Sequence, residues 1–401
     1  MTKNSFICNF INENPNNWRE LISEMGIMVK DDPSPLNPYS IFNYGIGADF
    51  TNPIVQEARG IIIDTEKLEV VCWPFRKFGK YNESYADEID WNTARVQEKI
   101  DGSIIKLWYD HRGGGWNFST NGMIDARNAY CDEDHKITFL DLIRSTDTYG
   151  ILHHFMIMKD GYGLNRHLTY IFELVTPNNQ VVIKHTCNTM YHIGTRNNIT
   201  GEELIFDIPN VKKPMEFPIN NLEGCIDAVE FHNINHDTGK ISMCDFEGFV
   251  VVDANWNRIK VKSPIYSILH NILNNGDVSK MKLVEIIDKD MIDIGSIASD
   301  FTDRGHWLYY YGYKYTEVMY QMNSFLNIIR KIYNENGKDR KDIAMRIKKH
   351  KYSPIAFKGL DNDLTVKEIL DKFTGGYLKN LCKYIPNYEP ENYGYLFETK
   401  E

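Results

Sequence analysis

"EGFVVVDANWNRIKVKSPIY", residues 247–266, is the stretch that decides how this chain folds. Two apolar arms flank a turn at Ala254-Asn255-Trp256-Asn257, which predicts a β-hairpin over 247–263. In the second arm Lys260 and Lys262 lie two residues apart. Both therefore project from one strand face, while Ile259 and Val261 project from the other. An isolated Lys-x-Lys is most often a solvated outer face with its apolar pair inward. On a concave face two such lysines would repel unless an anion lay between them, and a phosphate would fit. The first arm opens with Glu247-Gly248, an acid and a close-approach glycine brought beside those lysines.

Outward from the hairpin, residues 40–265 read mainly as strands. "RGIIID" (59–64) and "EVVCWPF" (69–75) are joined by a short polar turn, and "SIIKLWY" and "WNFST" flank "DHRGGG", a flexible hairpin tip. "LTYIFELVTP" (168–177) reads as a buried strand stopped by Pro177. Beyond Ser263 the texture turns helical. Val318, Met322, Phe325, Ile329 and Tyr333 recur at helical spacing between Tyr315 and Asn336, with Gly337 as a stop. Further helices are predicted over 340–350 and 364–384. The chain is read as α+β: antiparallel sheets with flanking helices over 1–268, then an all-α domain over 269–401.

Composition bounds the function. The chain has 401 residues, with 42% apolar and 25% charged, as in a globular protein of about two domains. No apolar run reaches membrane-spanning length, and the start "MTKNSFICNFINENPNN" carries no secretory apolar core. Seven cysteines, with no Cys-x-x-Cys, fit reduced thiols, so a cytoplasmic protein is expected. A net charge of −10 argues against nucleic-acid binding through the global field but allows a local basic groove.

Chemistry concentrates at a few positions. Lys99 in "VQEKIDGSIIKLWY" (96–109) precedes Asp101 and Gly102 at the mouth of a strand. Alone this is a charged turn as readily as a nucleophile. Glu173 shares a strand face with Ile171 and Val175, where an unpaired carboxylate is costly to bury; it either reaches solvent at an edge or faces a cation or a ribose. A nucleophilic lysine must lose its proton near neutral pH, and neighbouring cations such as Lys260, Lys262 and a divalent metal would depress its pKa. Attack on phosphorus with loss of pyrophosphate calls for a metal and for carboxylates to orient its waters. Asp101, Glu173 and Glu247 are the candidates, and Gly102 would let the backbone approach a nucleotide.

This set, in this order, resembles the covalent nucleotidyltransferases, meaning ATP-dependent ligases and RNA capping enzymes. More closely it resembles the RNA ligase 1 family, the phage-type tRNA-repair ligases. "IFNY" (41–44), "ARG" (58–60), "KFGKYNE" (77–83), "FELVTPNNQVV" (172–182) and "GKDRKDIAM" (337–345) extend the likeness over most of the chain. The resemblance implies a nucleotidyltransferase (ATP-grasp-like ligase) domain, with Lys99 as the site of AMP attachment. It implies Tyr44, Arg59 and Lys77 at the nucleotide, Glu173 at the sugar or metal, Glu247 and Gly248 at the metal shell and nucleotide, and Lys260 and Lys262 at the phosphates. Tyr266 falls on a family position without an assigned role. Asp290 and Asp293 are the candidates for a further metal-linked acid, with Asp293 preferred. Asn121 in "STNGM" stands where the family usually has lysine.

The implied cofactors are ATP and Mg2+ (or Mn2+). The implied partner is RNA with 3′-OH and 5′-phosphate ends, a tRNA broken in its anticodon loop, met by a monomeric enzyme in the cytoplasm of a host cell if phage-encoded. DNA ligases and capping guanylyltransferases are the alternatives within the superfamily, but they carry a β-rich OB domain after the Lys-x-Lys strand, and nothing after residue 263 reads as one. A non-catalytic RNA-binding protein on the same scaffold is the alternative from another class. "HNINH" (232–236) and "CDEDH" (131–135) lack the ligands of a zinc site, and "DHRGGGW" is no P-loop. The basic run 337–351 is either a solvated helix face or a contact for substrate phosphates.

Overall fold

The computed structural model describes residues 5–34, 37–132, 134–158, 163–232, 245–274, 280–289 and 306–387. They divide into two compact units, one comprising the residues up to His232 with Asp245–Tyr266, the other beginning at Ser267. In the first unit β1 (Ile27–Asp31), β2 (Tyr39–Tyr44), β3 (Arg59–Asp64) and β4 (Glu69–Cys72) form one sheet in that order. After β5 (Arg95–Glu98) come β6 (Ser103–Asp110), β7 (Gly115–Thr120), β8 (Leu168–Val175), β9 (Thr189–Asn197) and β10 (Glu203–Leu204). These form a second sheet ordered β10-β9-β8-β6-β7. β11 (Glu216–Phe217), β12 (Gly248–Val252) and β13 (Arg258–Lys262) join β5 in a third, β11-β5-β12-β13. The ladders are antiparallel.

Turn chemistry explains both hairpins that carry site residues. Asp110 Oδ1 accepts from the amides of Arg112 and Gly113 at 2.9 and 3.0 Å, closing the β6–β7 tip. Asp253 Oδ1 likewise accepts from the amides of Asn255 and Asn257, each at 2.9 Å, between β12 and β13. β8 lies between β6 and β9 with all eight residues buried. Its Phe172 and Leu174 pack with Ile105 and Leu107 against Leu142, Ile143 and Leu152 of the helices Phe139–Arg144 and Asp147–Ile157. The opposite face carries Glu173 and Lys106 and meets the first sheet, where Trp108 packs on Tyr39, Ile41, Ile62 and Cys72. β12 and β13 bury Phe249, Val251, Ile259 and Val261 over the helix Leu222–Phe231. Burying one such side chain contributes about 2–3 kcal/mol, which fixes the face on which Lys260 and Lys262 emerge.

In the second unit every described element is a helix. His306–Glu335 buries Val318, Met322, Ile329 and Tyr333 and begins a good two turns before the predicted start at Tyr315. Gly337, with φ +62°, follows its end. The single helix predicted over 364–384 is in fact two, Val366–Asp371 and Gly376–Cys382. They are parted at Gly375 and Gly376, whose φ values of +99° and +77° break the helical path. No helix among the described residues is long and apolar enough to cross a membrane.

Candidate active site

β5 delivers Lys99, whose amide donates to the Gly248 carbonyl at 2.8 Å and so ties the lysine loop to β12. The register Gly248↔Lys262 then sets Glu247 beside the last residue of β13. Lys99 Nζ contacts Glu247 Oε2 at 2.7 Å, and Lys262 Nζ contacts Oε1 at 2.7 Å, so the two lysines share one carboxylate that is only 2% exposed. Two glycines make this approach feasible. A β-carbon on Gly248, where φ is +137°, would lie 2.1 Å from the Val261 carbonyl, and one on Gly102 would lie 2.3 Å from that of Leu174.

Burial alone would lower the Lys99 pKa, but Glu247, with Glu173 behind it, outweighs burial and raises it. That reverses the sequence expectation. The cations do not depress Lys99, because Glu247 stands between it and Lys262. The depression falls on the neighbours instead. Burial, then Lys77 and Arg59, bring Lys260 down to about 7. Burial lowers Lys262 despite Glu247. Lys260 has no carboxylate partner among the described residues. Its ammonium, with Arg59 and Arg258, lies over the Phe78 ring at 5.6, 5.3 and 5.8 Å respectively. Lys77 sits over the rings of Tyr44 and Phe50 at 5.1 and 4.8 Å. A cation cluster short of anions is the setting a polyphosphate completes.

The second carboxylate differs. Glu173, 8% exposed on β8, makes no side-chain hydrogen bond among the described residues. Burial raises its pKa to about 8, against the pull of Lys99. Asp101, expected beside a metal, is engaged by the protein itself. Its Oδ2 accepts from the amides of Val182 and Ile183 at 2.9 and 2.6 Å, and its Oδ1 from the Tyr266 hydroxyl at 2.6 Å. These bonds make it an anchor of the lysine loop and leave it poorly disposed to ligate a metal. The same contact gives Tyr266 the role the sequence left unassigned, and its ring also lies 4.8 Å from Lys262 Nζ. No group of three metal-ligating side chains forms among the described residues. Asp290 and Asp293 lie outside them.

Sequence reasoning missed Lys106, wholly buried on β6, and its neighbour relation with Asn121. It is the one charge inside the apolar run "SIIKLWY", a pattern that does not by itself say whether the charge is buried.

A family model described as RNA ligase matches residues 57–266. An RNA ligase of Rhodothermus phage RM378 is 24% identical over 417 residues, covering 88% of this chain and 90% of the phage protein. A protein of Autographa californica nuclear polyhedrosis virus, named as a bifunctional polynucleotide kinase/RNA ligase, is 27% identical over 264 residues. That match covers 62% of this chain and only 35% of the viral protein. Among solved structures, an archaeal ATP-dependent RNA ligase aligns at TM-score 0.40 and 12% identity, covering 70% of this chain and 67% of the other. With the family model spanning more than half of its length, this chain belongs to the RNA ligase family.

Proposed function

We propose that the protein is an ATP-dependent RNA ligase that joins 3′-OH and 5′-phosphate ends through lysyl-AMP and RNA-adenylate intermediates. The observation that carries the reading is the shared carboxylate: Glu247 bridges Lys99 and Lys262, while Lys260 makes no ion pair among the described residues. In the first step the Lys99 amine attacks the α-phosphorus of ATP, the bond to the β-phosphate oxygen breaks, and pyrophosphate leaves. Glu247 Oε2, 2.7 Å from Nζ, supports a role in holding the proton that Lys99 sheds. Lys260 and Lys262, with Arg59 and Lys77, neutralise the charge that develops on the phosphates. A divalent cation, Mg2+ or Mn2+, would add to that neutralisation from the phosphates, with Glu173 holding its water shell. The RNA 5′-phosphate then takes AMP from Lys99, and the 3′-hydroxyl displaces AMP to seal the strand.

In the finer reading, the substrate is a tRNA broken in its anticodon loop and met in the cytoplasm by a monomer. The helical unit contacts the tRNA body. The basic run supports this, since Lys338, Lys341, Lys348 and Lys349 are exposed and take part in none of the ion pairs formed by Arg340 and Arg346. Sealing of paired tRNA halves against unstructured RNA tests it: the full chain should prefer the halves, and charge reversal at Lys348 and Lys349 should erase the preference. Equal sealing of both RNAs by the unaltered chain would remove tRNA as the substrate.

A further inference from the structure

Strand β3 breaks its own alternation, and the break decides where Arg59 points. Ile61 and Ile63 pack with Phe42 against the helices Phe6–Glu13 and Trp18–Glu24, while Ile62 packs on Trp108 of β6. Strict alternation would set Arg59 beside Ile61 and Ile63, a guanidinium in an apolar core. The ladder to β2 prevents this. Phe42 pairs with Ile61 and Asn43 with Arg59, so Gly60 is an extra residue left between them. One inserted residue makes a β-bulge and turns the side chain before it to the other face. Arg59 accordingly sits 5.3 Å over the Phe78 ring and in the field of Glu173.

The bulge has two supports. Gly60 takes φ +79°, where a side chain is strained, and a β-carbon there would meet Lys106 Nζ and the Asn121 carbonyl, each at 2.9 Å. Its carbonyl accepts from the Lys106 ammonium, which comes from the second sheet. Lys106 is 0% exposed and makes no ion pair among the described residues. Burial, resisted by Cys72 and reinforced by Arg59, brings its pKa down to about 8. A cation so placed is costly, and its one hydrogen bond among the described residues goes to the bulge.

We propose that Lys106 is a positioning residue: by holding the Gly60 carbonyl it locks the bulge that turns Arg59 out of the core and towards the nucleotide. Lys106 itself touches no part of ATP. Without it the carbonyl is buried and unbonded, the extra residue can shift along β3, and Arg59 moves off the phosphates. The proposal deepens the adenylyl-transfer reading above and rests on it.

The test is a double-mutant cycle on the rate of AMP attachment to the full chain, measured over a range of ATP concentrations. Arg59→Ala and Lys106→Met should each slow attachment about tenfold or more. Both should divide that loss alike between the maximal rate and the half-saturating ATP concentration. The double variant should be no slower than Arg59→Ala alone, because Lys106 acts only through that side chain. A charge acting directly on the phosphates, or a general loosening of the fold, would add to the Arg59→Ala loss. Additive losses therefore overturn the proposal, as does wild-type attachment by Lys106→Met. If Lys106→Met does not fold, Gly60→Ala decides, since it keeps both cations and pushes the ammonium from its carbonyl. It should be slow alone and no slower with Arg59→Ala added; wild-type kinetics or additive losses there overturn the proposal. Unaltered attachment by Arg59→Ala, or no label on wild type, would instead strike the adenylyl-transfer reading.

Discussion

Glu247 and Glu173 are two buried carboxylates of one site, and their surroundings are opposite. Glu247 has a lysine on each oxygen at 2.7 Å, whereas Glu173 has no bonded partner among the described residues and is pushed up to about 8. The cations divide in the same way. Lys99 and Lys262 are tied to Glu247, while Lys260, at about 7, forms no ion pair among the described residues and is crowded by other cations, with Glu83 the acid whose field it feels. One region is balanced by the protein itself; the other is out of balance until a ligand arrives. The first is a matter of stability and proton control, the second of binding.

The largest effect that could break this comparison is on stability. Lys262→Met leaves Glu247 with one partner and should destabilise the ligand-free protein by roughly 1–3 kcal/mol. Lys260→Met removes an unpaired cation and should leave stability unchanged or higher, while both variants lose ATP attachment. Denaturant melts of the two proteins without nucleotide check this, and equal losses would erase the distinction.

Next comes pH. Lys260 falls from 10.5 to about 7 on folding, so between those values the unfolded chain binds more protons and stability from this group rises with pH. Glu173 rises from 4.5 to about 8, so the folded chain keeps its proton and stability from this group falls as pH rises through that window. Glu173→Gln should therefore match wild type near pH 5 and exceed it at pH 9, whereas Lys260→Met should exceed wild type more at pH 7 than at pH 9. Phosphate binding favours charged Lys260, so ATP affinity should weaken above pH 7 in wild type and not in Lys260→Met, as titration calorimetry at several pH values would read. The smallest effect is at the anchor. Tyr266→Phe removes one hydrogen bond to Asp101, costs about 1 kcal/mol and should slow AMP attachment several-fold without changing its pH profile.

Much of the site was legible because strand alternation is a strict rule. Lys260 and Lys262 had to share a face, and Glu247-Gly248 had to open the strand beside them. Two features were not legible. Asp101 reads as a metal-side acid until Val182, Ile183 and Tyr266 fold onto it from far along the chain. Lys106 sits in a run apolar on both faces, and only the packing of β6 against β3 shows that its charge is buried. The split of the last predicted helix carried a visible signal, the pair Gly375-Gly376, that periodicity alone passes over.

The central claim is that Lys99 is the nucleophile for AMP. After incubation with ATP and a divalent cation, peptide mapping by mass spectrometry should find AMP on Lys99 in wild type and no AMP on any peptide of Lys99→Ala. Adenylylation of Lys99→Ala to the wild-type extent, or AMP mapped to another residue of the wild-type protein, would contradict the account.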